Sequence, residues 1–262
     1  LIDIDRTKFK HLACGGLTSA VILRDQVPYI GDSELVTLTA SGNDVNFFVV
    51  LNECVYHWSP AIGCEAQLVK AREIIETSAL QNLENIISGA VQHLQPGALF
   101  IVTGYARFFN EKTDYCDNTT FSQTRPLDYL DKAKRRNLNQ LVMMLNDVIR
   151  ATALLHGAVY VDIDQAFEGH RFCEPGVKEP DLDRAETWFF NIPPPQVALS
   201  GSQSGSPQQL VGEMEMPDPE TVPEWPEMRR WRVFHPTGLG HHGISQVVVR
   251  EILSRSSSRD SQ

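Results

Sequence analysis

The chain has 262 residues, with 23 Lys plus Arg against 33 Asp plus Glu, a formal net charge of −10. That balance lacks the basic footprint with which proteins meet phosphates, so no nucleic-acid partner is expected. A 42% apolar share with 21% charged residues suits one large α/β domain or two small ones and excludes global disorder. No apolar run approaches the ~18–20 residues that cross a bilayer.

The segment from Glu34 to Ala40, "ELVTLTA", is a short apolar run that reads as a buried strand. It delivers the polar loop Ser41-Gly42-Asn43-Asp44 at its C-terminal end. From Glu65 to about Leu94 the spacing is helical, with Leu68, Ala71, Ile75, Leu80, Leu83, Ile87 and Val91 along one side. Pro96-Gly97 breaks it, and Ala98 to Tyr105 predicts a second strand. Pro126 is expected to open another helix, whose core stripe is Leu138, Leu141, Val142, Leu145, Val148, Ile149 and Ala153. Gly157 suits its C-terminal cap, and Ala158 to Asp164 predicts a third strand.

Strand, helix, strand, helix, strand is the order of a parallel sheet with helices on its faces. Ligands of such sheets bind beyond the carboxyl ends of the strands. That rule points to the 41–44 loop, the Gly104 region and the loop at Asp162–Asp164. Eight of the fifteen prolines fall within 193–227, beside "SGSQSGS", which reads as an exposed, flexible insertion. A last helix starting at Thr237 or Gly238 is expected to carry Ile244, Val247, Val248 and Ile252 to the core, with a frayed tail over 254–262.

The chain begins at Leu1 without a basic-then-apolar leader, which reads as a processed form or a missing beginning. Its five cysteines, Cys14, Cys54, Cys64, Cys116 and Cys173, include no CxxC pair, so no zinc site is expected. Buried thiols of a cytosolic protein and disulfides of a secreted one both fit this spacing. Asn118-Thr119-Thr120 is a glycosylation sequon and tips the balance towards secretion.

Two local features carry chemistry. Asn43, at the tip of a strand-end loop, can aim its amide at a developing oxyanion, although an Asx-type turn would also explain "SGND". His235, held by Pro236 ahead of the last helix, can serve as a general base, although a loop histidine is often only solvated. Asp162-Ile163-Asp164 imitates a metal-holding DxD pair of glycosyltransferases, but alternation at a strand end accounts for it. His241-His242 does not read as a metal site, since neighbouring helical side chains diverge by about 100° and no third ligand is evident.

Taken together, "FKHLACGGLTS" at 9–19, "DSELVTLTASGNDVNFF" from Asp32 and "FHPTGLGHHGI" from Phe234 resemble the SGNH hydrolases, or GDSL esterases and lipases, in their secreted fungal and actinomycete branch. "VTGYARFFN", "DIDQAFEGHRFCEPG" and "TWFF" are similar to the same branch. The resemblance implies a three-layer α/β/α sandwich with a parallel, flavodoxin-like sheet in a single domain over 1–262. It implies a secreted, monomeric serine esterase that cleaves small-molecule, lipid or acylated-glycan esters through an acyl-serine, without cofactor or metal. Gly16 matches a backbone oxyanion donor, Asn43 a side-chain donor and His235 the base.

The family's nucleophile lies in a Gly-Asp-Ser block upstream of the "ACGG" segment, and this chain begins too late to hold it. Gly31-Asp32-Ser33 stands in the wrong order, at the far end of the strand that leads to Asn43. Ser41 replaces a glycine of the usual loop, and Arg232 stands where many relatives carry the catalytic Asp. A different carboxylate or a backbone carbonyl is therefore expected to orient His235. The resemblance further implies disulfides Cys54–Cys64 and Cys116–Cys173, with the mate of Cys14 lost upstream. As it stands the chain is expected to turn over little ester. The rival readings are a non-catalytic glycan- or lipid-binding protein and a metal-dependent glycosyltransferase.

Overall fold

The computed structural model describes residues 9–59, 62–122, 124–182, 184–191 and 232–259. The expected insertion at 193–227 lies outside them. The chain divides into two compact units: Leu1–Phe47, Lys70–Gly104 and Met144–Asp162 form one, and Phe48–Val69, Tyr105–Met143 and Ile163–Gln262 form the other.

The first unit is built on a three-stranded parallel sheet of β1 (Leu35–Leu38), β2 (Leu99–Thr103) and β3 (Val159–Val161) in that order. Leu35 pairs with Leu99 and Leu38 with Val102, while Ile101 pairs with Val159. All three strands lie within the runs expected from their β-branched, apolar composition. The middle strand is the buried one: Phe100, Ile101 and Val102 are sealed, as a strand with neighbours on both edges should be. Thr39 and Thr103 share a hydroxyl–hydroxyl bond just past β1 and at the end of β2. Helix α1 (Ser19–Asp25) packs on α4 (Leu80–His93). They meet closely at Gly89, where a Cβ would come 2.6 Å from Leu23 Cδ1.

The expected helix from Glu65 to Leu94 is one continuous helical run in three parts. These are α3 (Cys64–Ile74), a wide π turn (Ile75–Ala79) and α4. Leu68, Ala71, Ile75, Leu83 and Ile87 are buried as expected. Leu80 and Val91 are exposed, and Ala79 and Ala90 take their places.

Helix α5 (Lys132–Leu155) does not open at Pro126, which lies in a turn where Asp128 N–H donates to the Arg125 carbonyl. Its start is set by Asp131, whose carboxylate accepts from Lys134 N–H at 2.8 Å, an N-cap geometry. Its stripe from Leu138 to Ala153 is buried except for the half-buried Val148. Gly157, at φ 71°, ends it with Ala158 N–H donating to Ala153, a left-handed cap that a Cβ would strain.

The second unit is centred on rings. Tyr56, Phe108, Phe109, Phe172 and Phe234 pack mostly edge-on or tilted with centroids 4.9–5.9 Å apart. The buried Arg135 ties this core to the loop beside it. Its guanidinium donates to the Asn110 and Thr113 carbonyls at 2.6 and 2.7 Å and pairs with Asp117 at 2.5 Å. Disulfides Cys54–Cys64 and Cys116–Cys173 are formed, the pairing that the family resemblance implied, and the Cys14 thiol is exposed and unbonded.

Helix α6 (Gly238–Arg259) starts where expected but departs from expectation in two ways. Ile244, Val247, Val248 and Ile252 are half-exposed rather than core; among the described residues, the close glycine contacts of the helix lie in its first turns, at Gly240 and Gly243. The helix also continues past Ser254 to Arg259, where fraying was anticipated. Among the described residues no helix is long and apolar enough to cross a membrane.

Candidate active site

The two halves of the expected site fall in different units. In the first unit the 41–46 loop follows β1 and turns back sharply, with Ser41 at φ 90° and Asn46 at φ 56°. Asn43 is exposed, and its Nδ2 donates to the Leu17 carbonyl at 3.0 Å. One amide hydrogen is thereby fixed, leaving the second N–H directed away from Leu17. Gly16 is exposed beside it at φ 79°, with nothing within 4 Å of a would-be Cβ. Glycine is needed there for the left-handed backbone rather than for space. The structure thus brings the two expected oxyanion donors together on adjoining loops.

Asp44 holds those loops in place, a role the sequence did not reveal. Its carboxylate accepts from Ser19 N–H at 3.1 Å, from Ser19 Oγ at 2.7 Å and from Asn82 Nδ2 at 3.2 Å. It binds the Asn43 loop to the start of α1 and to α4, so the "SGND" acid makes long-range bonds and not a local turn. The signal was a serine opening the helix that follows "ACGG".

Ser41 pays for its position. Its side chain is buried, its hydroxyl has no hydrogen-bond partner among the described residues, and its backbone is left-handed. We expect Ser41→Gly to raise stability by about 1–2 kcal/mol, since relief of strain and of the orphaned hydroxyl outweighs glycine's added chain entropy. A thermal melt checks this, and an unchanged or lower midpoint would refute it.

In the second unit His235 is exposed, but its backbone is clamped. Phe190 N–H donates to the His235 carbonyl at 2.9 Å, Phe234 N–H to Phe190 at 2.8 Å and Thr237 N–H to Trp188 at 2.8 Å. Phe189 and Pro236 form an antiparallel bridge. Phe234, buried at φ 62°, plants its ring in the aromatic core. The His235 Nδ1 lies 3.3 Å from the Val233 carbonyl, a contact of the backbone-carbonyl kind that was one of the two options the sequence left open. Arg232, in the position of the expected acid, stacks over Phe190 at 4.2 Å. His241 is held below the usual histidine range by desolvation, reinforced by the neighbouring His235.

Helix α6 approaches this clamp through glycine. A Cβ on Gly240 would lie 2.7 Å from the Trp188 carbonyl oxygen and 2.9 Å from Pro236 Cβ, whereas Gly238 meets nothing. Gly240→Ala is expected to cost about 1–3 kcal/mol because the obstacle is backbone. Chemical denaturation with Gly238→Ala as control checks it; equal midpoints would contradict the packing argument.

Other expected features resolve differently. Asp164 accepts from Arg107 N–H at 2.7 Å and Nε at 2.8 Å and pairs with Arg171 at 3.0 Å. These arginines hold its carboxyl below the usual range despite the opposing desolvation. An aspartate so committed is a structural anchor and not half of a DxD metal pair. Ser33 donates to the Ile30 carbonyl at 2.6 Å ahead of β1, at the opposite end from Asn43.

No family model matches the chain. It is 27% identical over 168 residues to a lipase of Streptomyces rimosus, covering 64% of this chain and 58% of that protein. It is 26% identical over 166 residues to lipase 1 of Streptomyces coelicolor, covering 63% and 56%. The chain is a distant homologue of Streptomyces lipases. Among solved structures, the extracellular lipase of S. rimosus is similar at TM-score 0.56 and 25% identity, over 64% of this chain and 67% of that one. Phospholipase A1 of Streptomyces albidoflavus is similar at TM-score 0.52 and 29% identity, over 62% and 63%. The match of this lipase homologue therefore spans little more than half the length of its curated relatives.

Proposed function

We infer that the protein is a secreted ester hydrolase of SGNH type, acting on lipid or other acyl esters through an acyl-serine intermediate. The observation that carries this is the Asn43–Leu17 bond, which sets a side-chain amide beside the Gly16 backbone donor in a chain homologous to lipases. In this reading Gly16 N–H and Asn43 Nδ2–H stabilise the oxyanion. His235, with Nδ1 turned to the Val233 carbonyl, takes the serine proton on Nε2 and returns it to the leaving alcohol. In this reading the nucleophilic serine is none of Ser19, Ser33 and Ser41. Ser19 Oγ is committed to Asp44, Ser41 is buried and Ser33 stands before β1. The two disulfides and the exposed Asn118 suit passage through an oxidising, glycosylating compartment.

The test is hydrolysis of p-nitrophenyl butyrate and octanoate by the 262-residue chain and by the product of its full natural reading frame. Turnover and fluorophosphonate labelling in the latter, with neither in the former, is the expected result. Ester binding without turnover in both forms would replace this reading with the non-catalytic one.

A further inference from the structure

Arg232 and His235 are the two ends of one turn in the second unit. His235 N–H donates to the Arg232 carbonyl at 3.0 Å, and Phe234 between them takes φ 62° with its ring in the aromatic core. A turn of this kind keeps its end Cα atoms within about 7 Å of each other. Both end side chains are exposed. The candidate base and a permanent cation therefore rise from the same small surface, fastened to Phe190 by the same backbone bonds.

The cation is placed but uncommitted. Its guanidinium carbon stands over the Phe190 ring, 4.2 Å from the centre, a contact with the ring face that uses none of its N–H donors. Arg107, Arg135, Arg171 and Arg255 each pair with a carboxylate. Among the described residues Arg232 has no such partner. The chain as a whole carries a net charge of −10, so an anion is drawn to it only where a cation stands bare. Arg232 also occupies the position of the expected acid, where a positive charge opposes the imidazolium that a general base must become. An anion bound to Arg232 cancels that opposition.

We propose that Arg232 is an oxyanion clamp, binding a phosphate or carboxylate group of the substrate and so selecting esters that are anionic near the scissile bond. The planar guanidinium fork matches both groups through paired N–H donors. Selection among esters rests on the proposed hydrolase reading of His235; the binding of the anion does not.

Binding is tested by NMR in the 262-residue chain at pH 6 and fixed ionic strength, following Arg232 Nε–H and His235 Cε1–H. The probes are methyl phosphate, monomethyl succinate and the neutral methyl acetate. At least one anion should give saturable shifts at both residues, and methyl acetate none. Arg232→Gln should weaken that binding, read at His235, by roughly 10–100-fold. Arg136→Gln makes the same change of charge at an exposed position on α5 and should leave the affinity unchanged. Tighter binding of methyl phosphate assigns the clamp to phosphoesters, and tighter binding of monomethyl succinate assigns it to carboxylates. Shifts that never saturate, or an affinity kept in Arg232→Gln, overturn the proposal.

A kinetic arm uses the product of the full natural reading frame and compares each anionic ester with a neutral counterpart. The pairs are butyrylglycerol 3-phosphate with butyrylglycerol, and p-nitrophenyl hydrogen succinate with p-nitrophenyl butyrate. For the anion that binds, the kcat/KM ratio should fall about 10-fold or more in Arg232→Gln. Turnover with equal ratios in parent and variant removes the clamp and keeps the hydrolase. Saturable anion binding without turnover upholds the clamp and removes the hydrolase reading, so the two fail separately.

Discussion

In a turnover-competent form of the protein, His235→Gln should lower kcat/KM for p-nitrophenyl butyrate by roughly 10²–10⁴-fold, the range over which a positioned proton acceptor acts. Glutamine keeps the bulk and hydrogen-bonding ability of the side chain but cannot take the serine proton. The backbone at this position is fixed by Phe190, Phe234 and Trp188 rather than by the imidazole, so the fold should survive the change. A melting temperature close to the parent's, with activity lost, is the joint outcome expected. Activity kept within fivefold would remove His235 from the mechanism. A backbone carbonyl such as that of Val233, 3.3 Å from Nδ1, brings no full negative charge to an imidazolium. Removing the base should therefore expose whatever rate the oxyanion donors supply alone.

Asn43→Ala should lower kcat by about 10²–10³-fold, equivalent to roughly 3–4 kcal/mol of lost oxyanion stabilisation, with KM little changed. The effect should fall on kcat because the negative charge exists only in the tetrahedral states. In the folded protein the substitution deletes one bond from an exposed side chain to the Leu17 carbonyl, worth about 1 kcal/mol. Kinetics and melting therefore separate the two contributions. A kcat loss no larger than the stability loss would make Asn43 a loop residue. Asp44→Ala is the informative contrast, because it frees the Asn43 loop from Ser19 and Asn82 and should reduce activity through disorder of the donor.

The strands and long helices were legible because their signals are local. β2 is a five-residue apolar run, and the α5 stripe repeats every three or four residues from Leu138 to Ala153. The errors lie where tertiary bonding overrides local preference. Pro126 is a good helix opener by composition, yet Asp131 caps the helix because its carboxylate reaches Lys134 N–H. Leu80 lost its expected burial to Ala79 at the π turn, a feature that apolar spacing does not encode. On α6 the apolar residues formed a legible stripe, but a stripe does not say whether anything covers it. Asn43, Gly16 and His235 are candidates that the motifs in order propose. The Asp44 brace and the left-handed Ser41 could not be read in this way, because each depends on residues far apart in the chain.

The bridge between Phe189 and Pro236, with Phe190 bonded to both Phe234 and His235, has a topological consequence. The described chain stops at Asn191 and resumes at Arg232, and the residues on either side are held to one another by these bonds. The bonds that fix the bridge are made among described residues on both sides of it. Each doubling of a connecting loop costs only about 0.6 kcal/mol in closure entropy. A change of length between Asn191 and Arg232 is therefore expected to leave the backbone of His235 where it is, which makes this bridge a natural port for grafting new recognition elements beside that histidine.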